Sequence, residues 1–458
     1  MSRTLFQFTQ INVSYQFFKL RFFALFLVFA LIIVTDSCQS DQHNKNLLTR
    51  ANNYQQSGQF AKLSTLADSV FKLGTVTQTE RVKIDSLKEI SQRILIDFSL
   101  TESDINSKLL KYFPQYDSDM ISRWEKNGKL EMRWINGEKR YFKNAVRNLF
   151  LLDDSAHIRK VKVDGFQADS LDIFRIRHTK EIIDATKTLG ETVLPIAMKL
   201  TYSIRVKPNA VPDGEIIRCW MPFPRGGNVR QKNIRLLSSD PENAVVAPES
   251  DLQRSVYLEK KAVKDQPTTF QIEFEVETSA QYFDLKPEEI KPYNTESDIY
   301  KKFTSERAPQ ILFSEKIRNL GNKIVDGETN PLKKVQKIYN WINDSIRWAS
   351  ALEYSTMPDI PEYVLKNRHG DCGMQTLLFM TLARSQGIPV KWQSGWKLHP
   401  NEVNLHDWCE VYYEGVGWVP LDQSFGLQSS KDEKVRNFYR SGIDSYRLIV
   451  NDDYAGKL

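Results

Sequence analysis

The chain has 458 residues, room for about three folded units of ordinary size. Its 63 Lys and Arg against 57 Asp and Glu leave a net charge of +6 with no block of like charges, which argues against a nucleic-acid-binding tail and for a mildly basic soluble surface. Four cysteines are too few for a disulfide framework.

Residues 1–38 read as a leader. Lys19 and Arg21 precede an apolar run from Phe22 to Val34, followed by Thr35-Asp36-Ser37-Cys38 and a polar stretch. The run is short for a membrane span, which needs about twenty residues, and suits the hydrophobic part of a signal peptide. A small residue before Cys38 resembles a bacterial lipoprotein cleavage site, which implies lipidation of Cys38. The expected location is then the cell envelope, membrane-anchored and either periplasmic or surface-exposed. Asp36 and the missing leucine three residues before the cysteine depart from that pattern, and an uncleaved signal anchor is the alternative. With Cys38 lipidated, Cys219, Cys372 and Cys409 remain, and a Cys219–Cys409 bridge stays open.

Residues 39–185 are expected to be mainly helical. Leu47, Leu48, Ala51, Tyr54, Phe60, Leu63, Leu66, Val70 and Phe71 recur at helical spacing, and the pattern continues from Val82 to Phe98. Asn136-Gly137 between two short alternating runs predicts a hairpin. Helices plus a hairpin resemble a winged-helix outline, read here as a structural subdomain because the protein is expected to be exported. From about residue 188 to 284, short alternating segments separated by Asn, Pro, Gly and Asp predict an antiparallel β-sandwich, a packing and spacing module with possible substrate contacts but no chemistry of its own. Two amphipathic helices near Ser314–Val325 and Pro331–Ile346 then lead into residues 366–426.

There the chemistry concentrates. After Cys372 the apolar Met374, Leu377, Leu378, Phe379, Leu382 and Ala383 mark a helix that Gly387 and Pro389 end, so Cys372 sits at a helix N-terminus. Unpaired N–H groups and the helix dipole there favour a thiolate and offer donors to an oxyanion. A buried structural cysteine is the plainer alternative. His406-Asp407-Trp408-Cys409-Glu410-Val411 alternates as a strand, and Trp418 to Asp422 reads as its return after Gly415-Val416-Gly417. Pairing Glu414 with Trp418 puts His406 and Asp422 on one face, so Asp422 becomes the residue to hold the imidazole tautomer. His369 with Cys372 and His406 with Cys409 are pairs of the kind zinc sites use, but His406 and Cys409 point to opposite faces and no metal or other cofactor is expected. His399, taken as a solvated loop residue, is a rival base.

These motifs, GDCGMQTLLFMTLARSQGIPVKWQSGW and then HDWCEVYYEGVGWVPLDQSFG, resemble the core of the transglutaminase-like superfamily over roughly residues 305–427. The resemblance implies a papain-like α+β catalytic domain, placed at 285–427, with nucleophile Cys372, base His406 and orienting acid Asp422. A preceding β-sandwich matches the order in multidomain relatives. Asp407 stands where the family often has a small residue and is expected to face away from His406. A family Trp that stabilises the transition state matches neither Trp341 nor Trp348 by position, and no acidic calcium loop is visible. Residues 428–458 read as a polar tail with one short apolar segment, ending as if truncated. The implied function is an exported cysteine acyl-transfer enzyme acting on a protein or peptide substrate through a thioester. Hydrolysis as a protease or amidase is favoured over protein cross-linking, because amine transfer needs a second site that excludes water. The alternatives are a protein-glutamine transglutaminase and a non-catalytic envelope binding protein that retains the fold.

Overall fold

A computed structural model describes residues 46–454 apart from 73–75, 116–117, 167–168 and 401. The leader and Cys38 lie outside the described residues. No helix among the described residues is long and apolar enough to cross a membrane. The protein is α+β, with helices first, antiparallel sheets in the centre and a helix-and-sheet region after them. It divides into two units.

The smaller unit takes in the described residues up to Ile96 together with Arg133–Arg140. Helices over residues 46–56, Phe60–Lys72 and Gln78–Asp97 pack Leu47, Ala51, Leu63, Ala67, Val70 and Ile84 into one core. The hairpin turn falls on Asn136 and Gly137, both at positive φ (52° and 86°), which is why that dipeptide is there. Gly58 answers a different need, since a Cβ at that position would lie 2.1 Å from the carbonyl oxygen of Trp134.

The larger unit spans Asp97–Met132 and Tyr141–Leu458. Its helix Ser170–Leu189 runs past the expected limit at 185, stopping only at Gly190, whose φ is 88°. The long strand Thr268–Tyr282 then organises a sheet. Thr192–Val206 pairs along one edge, and Gln231–Asp240 with Gly442–Ile443 along the other. Phe270, Ile272, Phe274 and Val276 point inward, and the alternating Glu273 and Glu275 meet Lys199 and Arg235 outside. A second sheet, Ile216–Pro222 with Ser255–Lys261 and Val245–Val246, adds Met221, Val256 and Leu258 to the same core.

Two expectations are corrected here. Residues 188–284 do not close a core of their own, because Trp396, Leu448 and Val450 from the next sheet complete it. Nor are the described residues 428–454 a tail. Gly442–Ile443 and Arg447–Asp452 are strands of two different sheets, and Phe438, Tyr439, Ile443, Leu448 and Ile449 are fully buried. The apolar run Leu448-Ile449-Val450 is short and continuous, the pattern of a strand covered on both faces, which a polar flank disguises in sequence.

The last sheet is antiparallel throughout, in the order Gly417–Leu421, Glu402–Tyr413, Val390–His399, Arg447–Asp452. Against it lies the helix Cys372–Ser385, with Gly373 through Arg384 all buried. Helices Glu315–Val325, Pro331–Ser345 and Ile360–Asn367 pack around that helix. A helix covered on every side needs apolar or internally satisfied residues all round, which Leu377 to Ala383 supply.

Candidate active site

Asp371 starts the buried helix. Its side chain accepts from the Met374 N–H at 3.1 Å, and Tyr354 donates its hydroxyl to the same oxygen at 2.5 Å. Such a cap contributes about 0.5–2 kcal/mol and fixes where the helix begins, which sets Cys372 at its first position. A side chain at the next residue is impossible without rearrangement. A Cβ on Gly373 would meet the Tyr354 hydroxyl oxygen at 2.2 Å and Asp407 Oδ2 at 2.7 Å.

Cys372 opens onto a cavity of about 500 Å³ walled by Trp348 and Trp396 and lined on its polar side by Asp371, Asp407, Tyr354 and Ser394. Pro222 and Gln253 reach it from the sheets that precede the helix, so that module does touch the cavity. Gly395 lines it because the backbone of Leu448 passes where a Cβ would be, 1.9 Å away. Of the six tryptophans clustered in this part of the sequence, Trp348 and Trp396 face the cavity, whereas Trp408 is wholly buried with its N–H donated to Gln393 at 2.7 Å.

The strand Glu402–Tyr413 supplies both His406 and Asp407. Tyr412 pairs with Trp418, and Cys409 with Leu421, a register shifted by two from the sequence expectation but of the same parity. His406 Nε2 consequently lies 2.7 Å from Asp422 Oδ2. The structure thus brings His406 and Asp422 together, and it sets Cys372 beside Asp407, with Sγ 3.5 Å from Oδ2. Among the described residues no hydrogen bond joins Cys372 to His406. Asp407 does alternate away from His406, and the face it turns to is that of Cys372.

The electrostatics of the two halves differ. Burial, with the carboxylates of Asp407 and Asp371 close by, pushes the Cys372 thiol well above its ordinary range. The expected lowering by the helix N-terminus is overridden by burial and, after it, by the two acids near the sulfur. Asp407 itself is pushed up to about 7 by burial and by Asp371, the hydrogen bond from Cys372 opposing. His406, 4% exposed, is lowered to about 4 by burial, with Asp422 opposing and Arg447 assisting. It is therefore a neutral imidazole, able to accept a proton.

Asp422 is fully buried, which would raise it, yet His406, Arg447 and its hydrogen bonds hold it well below the usual carboxylate range. Its Oδ1 accepts from the Ser424 N–H and hydroxyl and from the Phe425 N–H, leaving Oδ2 for His406 and for Arg447 Nη1 at 3.1 Å. Arg447 also donates from Nε to Asp444 Oδ2 at 3.1 Å and lies over the Phe425 ring at 4.0 Å. His399 Nε2 stands 3.0 Å from the other oxygen of Asp444. Far from being a solvated loop residue, His399 closes the strand Val390–His399, is 1% exposed and belongs to this network. Sequence reasoning missed Arg447 and Asp444. Their only signal was an acid and a base three apart beside an apolar run, with nothing to relate them to His406.

Cys219, Cys372 and Cys409 are unpaired. Cys409 faces away from His406, its thiol directed to the Leu421 carbonyl at 3.6 Å. No three His, Cys, Asp or Glu side chains group to hold a metal ion among the described residues.

The family model of the transglutaminase-like superfamily matches residues 318–423. An uncharacterized protein of Bacillus subtilis, YebA, is 22% identical over 149 residues, 28% of this chain and 20% of that one. An uncharacterized protein of Haemophilus influenzae is 27% identical over 164 residues, 30% of this chain and 42% of that one. The chain therefore spans less than half the length of either relative. A solved structure from Cytophaga hutchinsonii, provisionally named a cysteine protease, covers 57% of this chain and 82% of its own at 16% identity and a TM-score of 0.42.

Proposed function

We propose that this chain, which carries a transglutaminase-like superfamily domain over residues 318–423, is a cysteine-dependent acyl-transfer enzyme that cleaves amide bonds through a thioester. The observation that carries the reading is Cys372 at the head of a buried helix, open to a cavity and abutting the strand that holds His406 against a fully buried Asp422. A thiol, a neutral imidazole and an orienting carboxylate are the parts that nucleophilic acyl chemistry requires.

In this mechanism Sγ attacks the carbonyl carbon of a substrate amide lying in the cavity. The thiol proton passes to His406, and Asp422 holds the imidazolium through Nε2. First-turn N–H groups of the helix face the developing oxyanion. His406 returns the proton to the leaving amine as the C–N bond breaks and a thioester remains. Water, activated by His406, then releases the acid. Hydrolysis is favoured over amine transfer because the cavity is open to solvent, and transfer needs water kept out.

Intact-mass measurement after mixing the protein with a peptide-amide library tests this. Wild type should gain an acyl mass that Cys372→Ala never shows, and His406→Ala should acquire it about 10²–10⁴-fold more slowly. A small primary amine added to the mixture separates the two outcomes by product mass. No adduct and no cleavage with wild type would leave the binding-protein reading.

A further inference from the structure

We infer that Asp407 is a brake on Cys372: its carboxylate holds the thiol proton in the resting protein and so sets the pH at which the nucleophile becomes reactive. The inference rests on Cys372 being the nucleophile, but it concerns the sulfur itself and does not need turnover of any amide.

The geometry is specific. Asp407 Oδ2 is the hydrogen-bond acceptor for the Cys372 thiol, at 3.5 Å, and both groups line the same cavity. Strand alternation enforces the contact. With His406 turned to Asp422, the next residue must point to the opposite face, where the head of the Cys372 helix lies. The space is built for the carboxylate, since Gly373 leaves open the volume that Asp407 Oδ2 and the Tyr354 hydroxyl occupy, and a Cβ there would be 2.7 Å from the one and 2.2 Å from the other. A small residue at 407 would leave that acceptor out.

The groups that face this pair make the brake effective. From the helix start comes Asp371, whose own oxygen is taken by the Tyr354 hydroxyl and the Met374 N–H, so it adds negative charge without a cation to offset it. Asp422 lies on the far side of the strand, where Arg447 balances its charge and His406 is hydrogen-bonded to it. Tyr354 and Tyr454 are the other titratable neighbours, both raised by burial and so neutral. Among the described residues no lysine or arginine lines the cavity beside Cys372. Ionising the thiol in this setting places a thiolate against a carboxylate, and like charges that close disfavour the second ionisation. The step is a single proton equilibrium. With Asp407 ionised the proton stays on Sγ, directed at Oδ2. Activation occurs when that proton leaves for His406 or solvent and the thiolate remains.

Alkylation of Cys372 by iodoacetamide, followed by intact mass from pH 6 to 11, reads the thiolate directly. Sγ displaces iodide and its proton goes to solvent, and Cys372→Ala gives the background from Cys38, Cys219 and Cys409. Asp407→Asn, nearly the same shape, and Asp407→Ala should each label at least about tenfold faster at pH 7, with the midpoint about one unit or more lower. A purely structural role would not move that midpoint downward. Unchanged or slower labelling in both variants, at an unchanged midpoint, overturns the inference. Labelling that speeds up while no peptide amide ever forms an acyl adduct would uphold the brake and reject the enzymatic reading.

Discussion

The two halves of the candidate site handle buried charge in opposite ways. On the His406 side, Asp422 and Asp444 are fully or almost fully buried, but Arg447 sits between them and His406 and His399 close the ends. On the Cys372 side, Asp371 and Asp407 share a cavity with a thiol and, among the described residues, with no cation. Compensation keeps the buried carboxylates ionised, while burial keeps His406 neutral. Without that compensation, burial and Asp371 push Asp407 up to about 7, and burial with both acids pushes the thiol higher still. What separates the halves is the presence of one guanidinium, more than depth of burial.

The largest way to break the contrast is Arg447→Met, which fills the volume but leaves two buried carboxylates facing each other. Loss of one partner from a buried ion network costs about 3–5 kcal/mol, and urea unfolding at pH 7 should show a correspondingly lower midpoint. An unaltered midpoint would mean that the network carries no net stabilisation. A smaller effect is expected on the Cys372 side. Asp371→Ala removes the helix cap and should cost about 0.5–2 kcal/mol, whereas Asp371→Asn keeps a capping oxygen and should come close to wild type. Equal losses in the two variants would count against capping as the role of Asp371.

The pH dependence of folding sharpens the comparison further, with the smallest shifts. His406 and His369, both lowered to about 4 in the fold by burial, take up protons near 6.5 when unfolded, so their contribution is lost as pH falls from about 6.5 toward 4. Asp407 works in the other direction. Its folded value of about 7 lies above the ordinary 3.8, so stability present at low pH is lost between about 3.8 and 7 and no further above it, over the window in which the histidines gain it. Urea midpoints from pH 4.5 to 8.5 should therefore rise more steeply below pH 7 in Asp407→Asn than in wild type, with the two running parallel above it. A variant that parallels wild type below pH 7 as well would show that Asp407 ionises without penalty.

Local physics was legible in the sequence. The helix after Cys372, the strand that begins before His406, and the turn at Gly415-Val416-Gly417 follow from spacing, from glycine and proline stops, and from alternation. Parity put His406 and Asp422 on one face although the register was off by two, because side-chain direction repeats every second residue and survives an even shift. The same alternation indicated that Asp407 turns away from His406, but not what waits on that other face.

That second fact is tertiary. The helix head reaches Asp407 only once the sheet has formed, and Arg447 reaches Asp422 only because Arg447–Asp452 pairs with Val390–His399 rather than trailing as a tail. The thiol shows the limit most plainly. A helix N-terminus read alone favours a thiolate through a dipole that fades within a turn, whereas burial, with the Asp407 carboxyl 3.5 Å away and Asp371 beside it, reverses the outcome. Sequence determined which residues could take part and which way each strand turned them. Tertiary structure decided which charges ended up unscreened beside one another, because that depends on distances between segments far apart in the chain.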